Sequence, residues 1–172
     1  GNMDKAIVRK WFQEVLNNSA DKIFHNAMYD VCWLRSEGFT IKGRIIDTMI
    51  GSAIVDENQL RYDLNSCSRR YLGQSKDEAA LYAAAKDWGV DAKAEMYKLP
   101  AMYVGSYAEK DAELTYKLWQ ELKKEIEHQD IHNIWKLETE LFPSLVDMRF
   151  LGVRVNQEQA AIEKKTLVEQ EK

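Results

Sequence analysis

The sequence contains only two cysteines, Cys32 and Cys67, which lie in different segments and lack the spacing of a metal site. They indicate buried, reduced thiols of an intracellular protein rather than a disulfide framework. No apolar run is long enough to cross a membrane, and the first residues lack the pattern of a signal peptide. These absences predict a soluble, cytoplasmic protein without a membrane partner.

The sequence also lacks an excess of positive charge. Its 24 Lys and Arg residues are outnumbered by 28 Asp and Glu residues, which gives a formal net charge of -4. Proteins that bind nucleic acid through their overall field carry the opposite balance. Any contact with nucleic acid must therefore come from a local groove or a bound metal ion. Acidic residues suit the second route, because hard cations prefer oxygen ligands.

The first third of the chain alternates helices and strands. Asp4 is placed to cap a helix in which apolar residues recur every four positions. Short strands are predicted at residues 22–25 and within 40–47, separated by a helix that stops at Gly38. Asp47 should cap the helix that follows the second strand. The order helix, strand, helix, strand, helix predicts an α/β layer with parallel strands.

The rest of the chain is predicted to be almost entirely helical. The predicted helices cover residues 64–71 and 75–88, a long stretch from residue 106 or 107 to about 128, and about 131–151, with a last one capped by Asn156. Pro100 and Gly105 bracket a predicted loop, and Pro143 should kink or split the helix that contains it. Residues 153–155 form a short strand candidate. The five tryptophans are expected to be core or packing residues.

Two stretches carry acids in positions suited to metal chemistry. Asp30 follows the strand at residues 22–25, at the point where the chain turns into a helix. Tyr107 and Asp111 are four residues apart, so their side chains are neighbours on a helix. Together these side chains could hold a divalent metal beside a phosphate. Taken singly, each has a structural interpretation too, as a helix cap, a core tyrosine and a solvated acid.

The two stretches belong to an ordered set of motifs. Residues 25–30 (HNAMYD) resemble the second motif of proofreading 3′–5′ exonucleases, and residues 107–111 (YAEKD) resemble their third motif, Tyr-x-x-x-Asp. Between them, residues 47–48 (DT) and 64–73 (LNSCSRRYLG) are similar to a strand end and a helix of the same family. Residues 137–156 resemble the segment that leads into the polymerase domain of family A DNA polymerases. The resemblance covers nearly the whole chain, in the expected order.

This resemblance implies a fold and a domain division. The family has the RNase H-like α/β exonuclease fold, and here it would be incomplete at its N-terminus. We therefore expect a predominantly helical structure with a small, partly parallel sheet. Residues 1–136 would be a partial 3′–5′ exonuclease domain, and residues 137–172 would begin the polymerase domain. The implied partners are the single-stranded 3′ end of DNA and the polymerase domain of the parent protein.

The resemblance also implies a mechanism. Two divalent ions, Mg²⁺ or Mn²⁺, would be held by four carboxylates and would hydrolyse the 3′-terminal phosphodiester. Asp111 would be a direct ligand of the ion that activates water, and Tyr107 would orient that water. Asp30 would hold the second ion, and Asn26 would lie beside the 3′-terminal nucleotide.

Four further residues near these motifs have two interpretations each. His25 is a candidate for DNA contact, and a strand histidine satisfied within the fold is the alternative. Arg69 and Arg70 are candidates for phosphate contact, against a solvent-facing pair of charges. Asp47 is interpreted as a structural cap that could also support the site indirectly.

The chain departs from the family in its first motif, Asp-x-Glu on a strand, which supplies two of the four carboxylates. The only acids before Asp30 are Asp4, Glu14 and Asp21, and none forms that motif. We therefore expect a fragment that is inactive or weakly active by itself. The exposed edge of its truncated sheet should favour a homodimer.

Two alternative functions stay open at this point. One is an RNase D-like ribonuclease, against which the segment after residue 137 argues. The other is a non-catalytic exonuclease-like scaffold, against which the presence of Asp30, Tyr107 and Asp111 argues. Cleavage of DNA compared with RNA would separate the first from a proofreading enzyme, and manganese binding would separate the second.

Overall fold

The computed structural model describes residues 3–76 and 78–171 of the chain. The elements in chain order are α1 (Lys5–Leu16), β1 (Lys22–Phe24), α2 (Ala27–Ser36), β2 (Ile45–Asp47), α3 (Thr48–Val55), α4 (Leu64–Leu72), α5 (Ala79–Trp88), a 3₁₀ helix (Met96–Lys98), α6 (Ala101–His128), α7 (His132–Leu151) and α8 (Gln157–Gln170). The predicted fold class, helical with a small parallel sheet, is confirmed.

The sheet in this part of the chain consists of β1 and β2. The strands are parallel, with Lys22 opposite Ile45 and Phe24 opposite Asp47. Because parallel strands end at the same edge of a sheet, α2 and α3 both begin at that edge. The other side of β1 has no partner strand among residues 3–76 and 78–171.

Asp47 links the starts of these two helices. Its carboxylate accepts a hydrogen bond from the backbone N–H of Met49, which confirms the predicted cap of α3. It also accepts hydrogen bonds from the backbone N–H groups of Asn26 at 3.0 Å and Ala27 at 2.8 Å. The side chain is almost fully buried. One carboxylate therefore satisfies backbone donors on both helices that border the strand ends.

The longest helix, α6, is the centre of the packing. Its apolar stripe meets α4 in a core formed by Leu64, Cys67, Leu114, Leu118 and Leu122. A second core joins α2 to α7 through Ala27, Val31, Phe142 and Val146. A third, smaller cluster holds α5 to the segment before α6 and consists of Leu81, Ala85, Ala92 and Leu99. Burial of the stripe fixes which face of α6 turns toward β1.

The start of α6 differs from the prediction. The loop predicted between Pro100 and Gly105 is wrong, because α6 already begins at Ala101. Proline suits a helix start, since its missing N–H would have no partner there. Gly105 inside a helix costs about 1 kcal/mol relative to alanine, and the buried stripe of α6 offsets this.

Two other boundaries also differ. The helix predicted from residue 75 begins only at Ala79, because the Asn65 side chain accepts a hydrogen bond from the Lys76 backbone N–H and holds this segment outside the helix. Residues 153–155 form no strand, and no neighbouring strand in the described part of the chain could pair with them. Helix α7 runs through Pro143 as one element, so the proline does not split it.

The expectation for the tryptophans is only partly correct. Trp119 and Trp135 are half-buried, with ring centroids 5.0 Å apart. Trp11, Trp33 and Trp88 are instead exposed, at 61%, 57% and 52% of their surface. Trp11 lies on the apolar stripe of α1, and nothing in the described residues covers that stripe fully. A regular apolar pattern predicts a buried face only where a partner element is present.

The expectations for the two cysteines and for membrane-spanning segments can be compared with the structure. Cys67 is buried and Cys32 is half-buried, and both are free thiols. Within residues 3–76 and 78–171, no helix has both the length and the apolar character needed to span a bilayer.

Candidate active site

A cleft of about 1150 Å³ lies where β1 ends, and elements α2 and α6 contribute to its walls. It is larger than the about 300–1,000 Å³ usual for small-ligand pockets. Five of the predicted site residues line it: His25, Asn26, Asp30, Tyr107 and Asp111. The structure thus brings together two motifs that are about 80 residues apart in the chain.

Tyr107 and Asp111 are presented to the cleft by α6. The buried stripe that begins at Leu114 fixes the rotation of the helix, and Asp111 and Tyr107 lie on the same side of α6, about one and two turns before Leu114. The Thr115 hydroxyl donates a hydrogen bond to the backbone carbonyl of Asp111 at 2.8 Å. Burial raises the pKa of Tyr107, although the nearby Lys76 charge opposes this shift, so its phenol stays protonated at neutral pH.

Lys76 is the residue of the cleft that the sequence analysis missed. Its ammonium Nζ lies 2.7 Å from Asp111 Oδ2 and 3.4 Å from the Tyr107 hydroxyl. Burial lowers the pKa of Lys76, but the hydrogen bond and charge of Asp111 outweigh this effect and leave the pKa above its ordinary value. Lys76 lies in an irregular segment 35 residues before Asp111. No spacing rule connects two such positions.

Asp30 lies in the first turn of α2 and faces the same cleft. Its pKa is raised, mainly because burial disfavours the ionised carboxylate and secondly because Asp47 carries a negative charge nearby. A hydrogen bond with its own backbone opposes the shift. The ionised form of Asp30 is therefore disfavoured, and a cation bound nearby would stabilise it.

The chain enters α2 through Asn26, which adopts the left-handed conformation with φ of 65°. Asparagine tolerates this conformation better than most residues. Asp47 fixes the turn by accepting a hydrogen bond from the Asn26 backbone N–H. The Asn26 side chain remains exposed in the cleft. The amide side chain is thus available to an incoming ligand.

His25 is largely engaged by the protein itself. One ring nitrogen lies 2.9 Å from the Thr48 hydroxyl and the other lies 2.8 Å from the Tyr62 carbonyl oxygen. Burial lowers its pKa, which favours the neutral ring. These contacts agree with the alternative of a satisfied strand histidine. Contact between His25 and DNA stays a prediction.

Arg69 and Arg70 are not brought to the cleft. Both lie exposed on the last turn of α4, away from the residues that line it. Arg70 forms an ion pair with Asp56. Their contact with DNA phosphate also stays a prediction, and it would have to involve DNA that extends beyond the cleft.

The residues of the cleft fit a cation as a partial ligand set. Asp111 Oδ1 is buried and has no hydrogen-bond partner among the described residues. A buried carboxylate oxygen without a donor is a position that a metal ion would satisfy. Asp63 also lines the cleft, but it caps α4 through Ser66. The described residues contain no group of three or more potential metal ligands, so Asp30 and Asp111 are the two available carboxylates.

The sequence model of the 3′–5′ exonuclease domain of family A DNA polymerases matches residues 2–127. The chain belongs to this family. The helical structure with its small parallel sheet is accordingly that of an RNase H-like exonuclease domain. Members of this exonuclease family generally use divalent metals.

Relatives of this exonuclease domain are polymerases from phages and bacteria. The chain is 33% identical to the DNA polymerase DpoZ of Acinetobacter phage SH-Ab 15497 over 156 residues, which cover 87% of this chain and 25% of that protein. It is 34% identical to a DNA-directed DNA polymerase of Pseudomonas phage M6 over 140 residues, 80% of this chain and 21% of that protein. Identity to the DNA polymerase I of Synechocystis sp. is 27% over 154 residues, 88% and 15% of the two chains. The chain therefore spans a quarter or less of these relatives.

Proposed function

We propose that this exonuclease domain removes nucleotides from single-stranded 3′ ends of DNA, and that it does so as the proofreading part of a protein that also contains a polymerase domain. The observation that carries the proposal is the meeting of Asp30, Tyr107 and Asp111 in one cleft, with one Asp111 oxygen buried and unpartnered in the described structure. The phage and bacterial relatives are themselves named DNA polymerases. This supports DNA over RNA as the substrate.

Asp111 and Asp30 would hold two divalent ions, Mg²⁺ or Mn²⁺, together with carboxylates from outside the described residues. Such ions supply an activated water and stabilise the leaving oxygen of a phosphodiester. Asp111 Oδ1 has a lone pair free for this role in the described structure. The raised pKa of Asp30 indicates a carboxylate that gains from a cation. Oxygen ligands suit both metals.

The remaining cleft residues would position the substrate. The Tyr107 phenol, kept protonated by its raised pKa, can donate a hydrogen bond to the attacking water or to a phosphate oxygen. The exposed amide of Asn26 can contact the 3′-terminal nucleotide. His25 would offer DNA only the face of its ring, because the protein occupies both nitrogens. Arg69 and Arg70 would contact phosphates farther along the strand.

Residues 137–172 would lead into the polymerase domain, with 1–136 as the exonuclease part. The family match ends at residue 127, within the last turn of α6. Helix α8 has no buried residue, and Ile162 and Leu167 on it are exposed. We expect this apolar surface to be covered in a longer polypeptide that includes a polymerase domain. Amide exchange across α8 should slow in that polypeptide relative to the 172-residue chain, and equal exchange would contradict the proposal.

The free side of β1 supports a further part of the proposal. An unpaired strand edge readily pairs with another chain, so the 172-residue chain by itself should form a homodimer through this edge. Sedimentation equilibrium tests this, and a monomer at tens of micromolar would contradict it. A cytoplasmic location agrees with the proposed role, since both cysteines are free thiols.

The central experiment is digestion of 5′-labelled single-stranded DNA with Mg²⁺ or Mn²⁺. We would use the 172-residue chain and a longer polypeptide that carries the family's Asp-x-Glu motif upstream. In the longer polypeptide, Asp111→Ala and Asp30→Ala should each reduce trimming by at least about a hundredfold, the scale of losing a metal ligand. A single-stranded RNA of the same sequence should be cut more slowly.

Glu113→Ala is the matched control. Glu113 lies two residues from Asp111 on the same helix, but it is exposed and pairs with Lys110 and Lys117. Its replacement should leave trimming unchanged. If Asp111→Ala or Asp30→Ala cuts as fast as the unmodified protein, the proposed mechanism is wrong. If RNA is the better substrate, the ribonuclease alternative is favoured.

A further inference from the structure

Lys76 and Asp111 form an ion pair inside the cleft. The ammonium Nζ is 2.7 Å from Asp111 Oδ2, and the two side chains are only 16% and 26% exposed. The same ammonium is within 3.4 Å of the Tyr107 hydroxyl and 5.2 Å from the centre of the Tyr107 ring. One cation thus contacts both of the residues that α6 presents to the cleft.

The fold holds the backbone of Lys76 in place. Its backbone N–H donates a hydrogen bond to Asn65 Oδ1 of α4 at 3.1 Å. Helix α4 in turn packs on α6 through Leu64, Cys67 and Leu114. The segment after α4 is therefore tied to the helix that carries Asp111, and it delivers the ammonium to the carboxylate.

This ion pair differs from the other lysine pairs of α6. Lys124 pairs with Glu121 one turn away on the exposed face of the helix, with the lysine side chain 70% exposed. Such exposed pairs contribute little to stability. Lys76 instead comes from a separate segment, and it is the one lysine or arginine among the described residues that line the cleft.

We propose that Lys76 is a positioning residue of the exonuclease site, where its ammonium acts as the counter-ion of Asp111 and competes with the divalent metal for that carboxylate. The inference deepens the proposed function and depends on it. The ammonium occupies Oδ2, so a divalent ion held by Oδ1 of the same carboxylate lies close to a like charge that opposes its binding. Without the metal, Lys76 keeps Asp111 compensated and Tyr107 beside it.

The test measures metal affinity without requiring cleavage. Mn²⁺ is titrated into the 172-residue chain and into its Lys76→Met and Lys76→Arg variants, and free Mn²⁺ is followed by electron paramagnetic resonance. Lys76→Met should bind Mn²⁺ about tenfold more tightly, since one competing charge is gone. Lys76→Arg keeps the charge and should bind as the unmodified chain does. A merely structural lysine would give the opposite direction, because disorder of the site weakens metal binding.

Two controls accompany the titration. Lys124→Met removes the same charge from the exposed face of α6 and should leave Mn²⁺ affinity unchanged. Thermal unfolding separates the role of the charge from loss of folding: Lys76→Met should melt lower than the unmodified chain in EDTA and gain more from Mn²⁺. Circular dichroism shows whether Lys76→Met is folded. If it is not, Lys76→Gln, which also removes the charge, is used in its place.

The outcomes separate this inference from the proposed function. If the unmodified chain binds Mn²⁺ and Lys76→Met binds it no more tightly, the counter-ion role is wrong and the exonuclease assignment stands. If neither the unmodified chain nor Lys76→Met binds Mn²⁺, Asp111 holds no metal ion in this chain and the competition proposed for Lys76 is wrong, whereas the proposed function is decided separately by trimming in the longer polypeptide.

Discussion

The Asp47 carboxylate accepts a hydrogen bond from the backbone N–H of Ala27 at 2.8 Å, so the end of β2 holds the start of α2. Asn26 donates to the same carboxylate, and Met49 donates to it from α3. Helix α2 carries Asp30 in its first turn. The buried Asp47 thus connects the strand ends to the placement of a candidate metal ligand.

Asp47→Ala should reduce the free energy of unfolding by about 3–5 kcal/mol, because it leaves three backbone N–H groups at a buried site without their charged acceptor. Asp63→Ala is the matched control. Asp63 caps only α4 at an exposed position, so its loss should cost about 1 kcal/mol. Urea unfolding measures both, and equal losses would show that Asp47 is no more than an ordinary cap.

Asp30→Asn should stabilise the metal-free protein at pH 7. The folded-state pKa of Asp30 is raised, so folding favours its protonated form and the ionised carboxylate costs stability at neutral pH. That cost disappears as the pH falls through the folded-state pKa, so the gain from Asp30→Asn should shrink toward pH 4. Because the side chain is partly solvated, the gain is at most about 1 kcal/mol.

The measurement for Asp30 is the melting temperature in EDTA at several pH values. Asp87→Asn, a change at an exposed acid of α5, should give no comparable gain. A lower melting temperature for Asp30→Asn at pH 7 would mean that the ionised carboxylate is already compensated within the fold. A stabilising replacement that also abolishes trimming would mark Asp30 as a residue kept for function.

The central part of the candidate site could be predicted from the sequence, because it depends on local rules. Tyr107 and Asp111 are four residues apart, and helical geometry alone makes them neighbours. Asp47 precedes a helix, which predicts its cap on Met49. The hydrogen bonds from the backbone N–H groups of Asn26 and Ala27 to the same carboxylate could not be predicted in this way, since they depend on how two parallel strands end side by side.

Other features could not be read from local patterns. Pro100 and Gly105 suggest a loop, but α6 begins directly after Pro100, and Val104 and Tyr107 in its first turns pack against the third core cluster. Lys76 reaches Asp111 only because Asn65 holds its backbone against α4. In both cases tertiary packing decides the result, and a single sequence records packing only indirectly.

Protonation of His25 should lower the stability of the metal-free protein as the pH falls below the ordinary imidazole pKa of 6.5. Burial lowers its folded-state pKa below the ordinary value of 6.5, so folding favours the neutral ring. The stabilisation is complete above the unfolded-state pKa and is lost as the pH falls below it and through the lower folded-state pKa. His25→Gln should therefore show a shallower loss over this range in urea unfolding.

His128→Gln is the control for this pH dependence. His128 ends α6 at an exposed position, and its replacement should leave the slope unchanged. His25→Gln should also be less stable at pH 7, since glutamine cannot reproduce both contacts, to Thr48 and to the Tyr62 carbonyl. An unchanged slope in His25→Gln would mean that other groups titrate in this range.

Gly43→Ala should destabilise the protein far more than Gly38→Ala, although both glycines have positive φ, 84° and 81°. A Cβ on Gly43 would lie 2.2 Å from the Ala20 carbonyl oxygen, whereas one on Gly38 would meet nothing within 4 Å. Moving Ala20 would also disturb its carbonyl, which accepts a hydrogen bond from the buried Lys22 ammonium at 2.7 Å. We expect losses of about 1 kcal/mol at Gly38 and about 3 kcal/mol or more at Gly43. Urea unfolding of the two variants would check this, and similar losses would mean that backbone strain alone, rather than the close approach to Ala20, sets the cost.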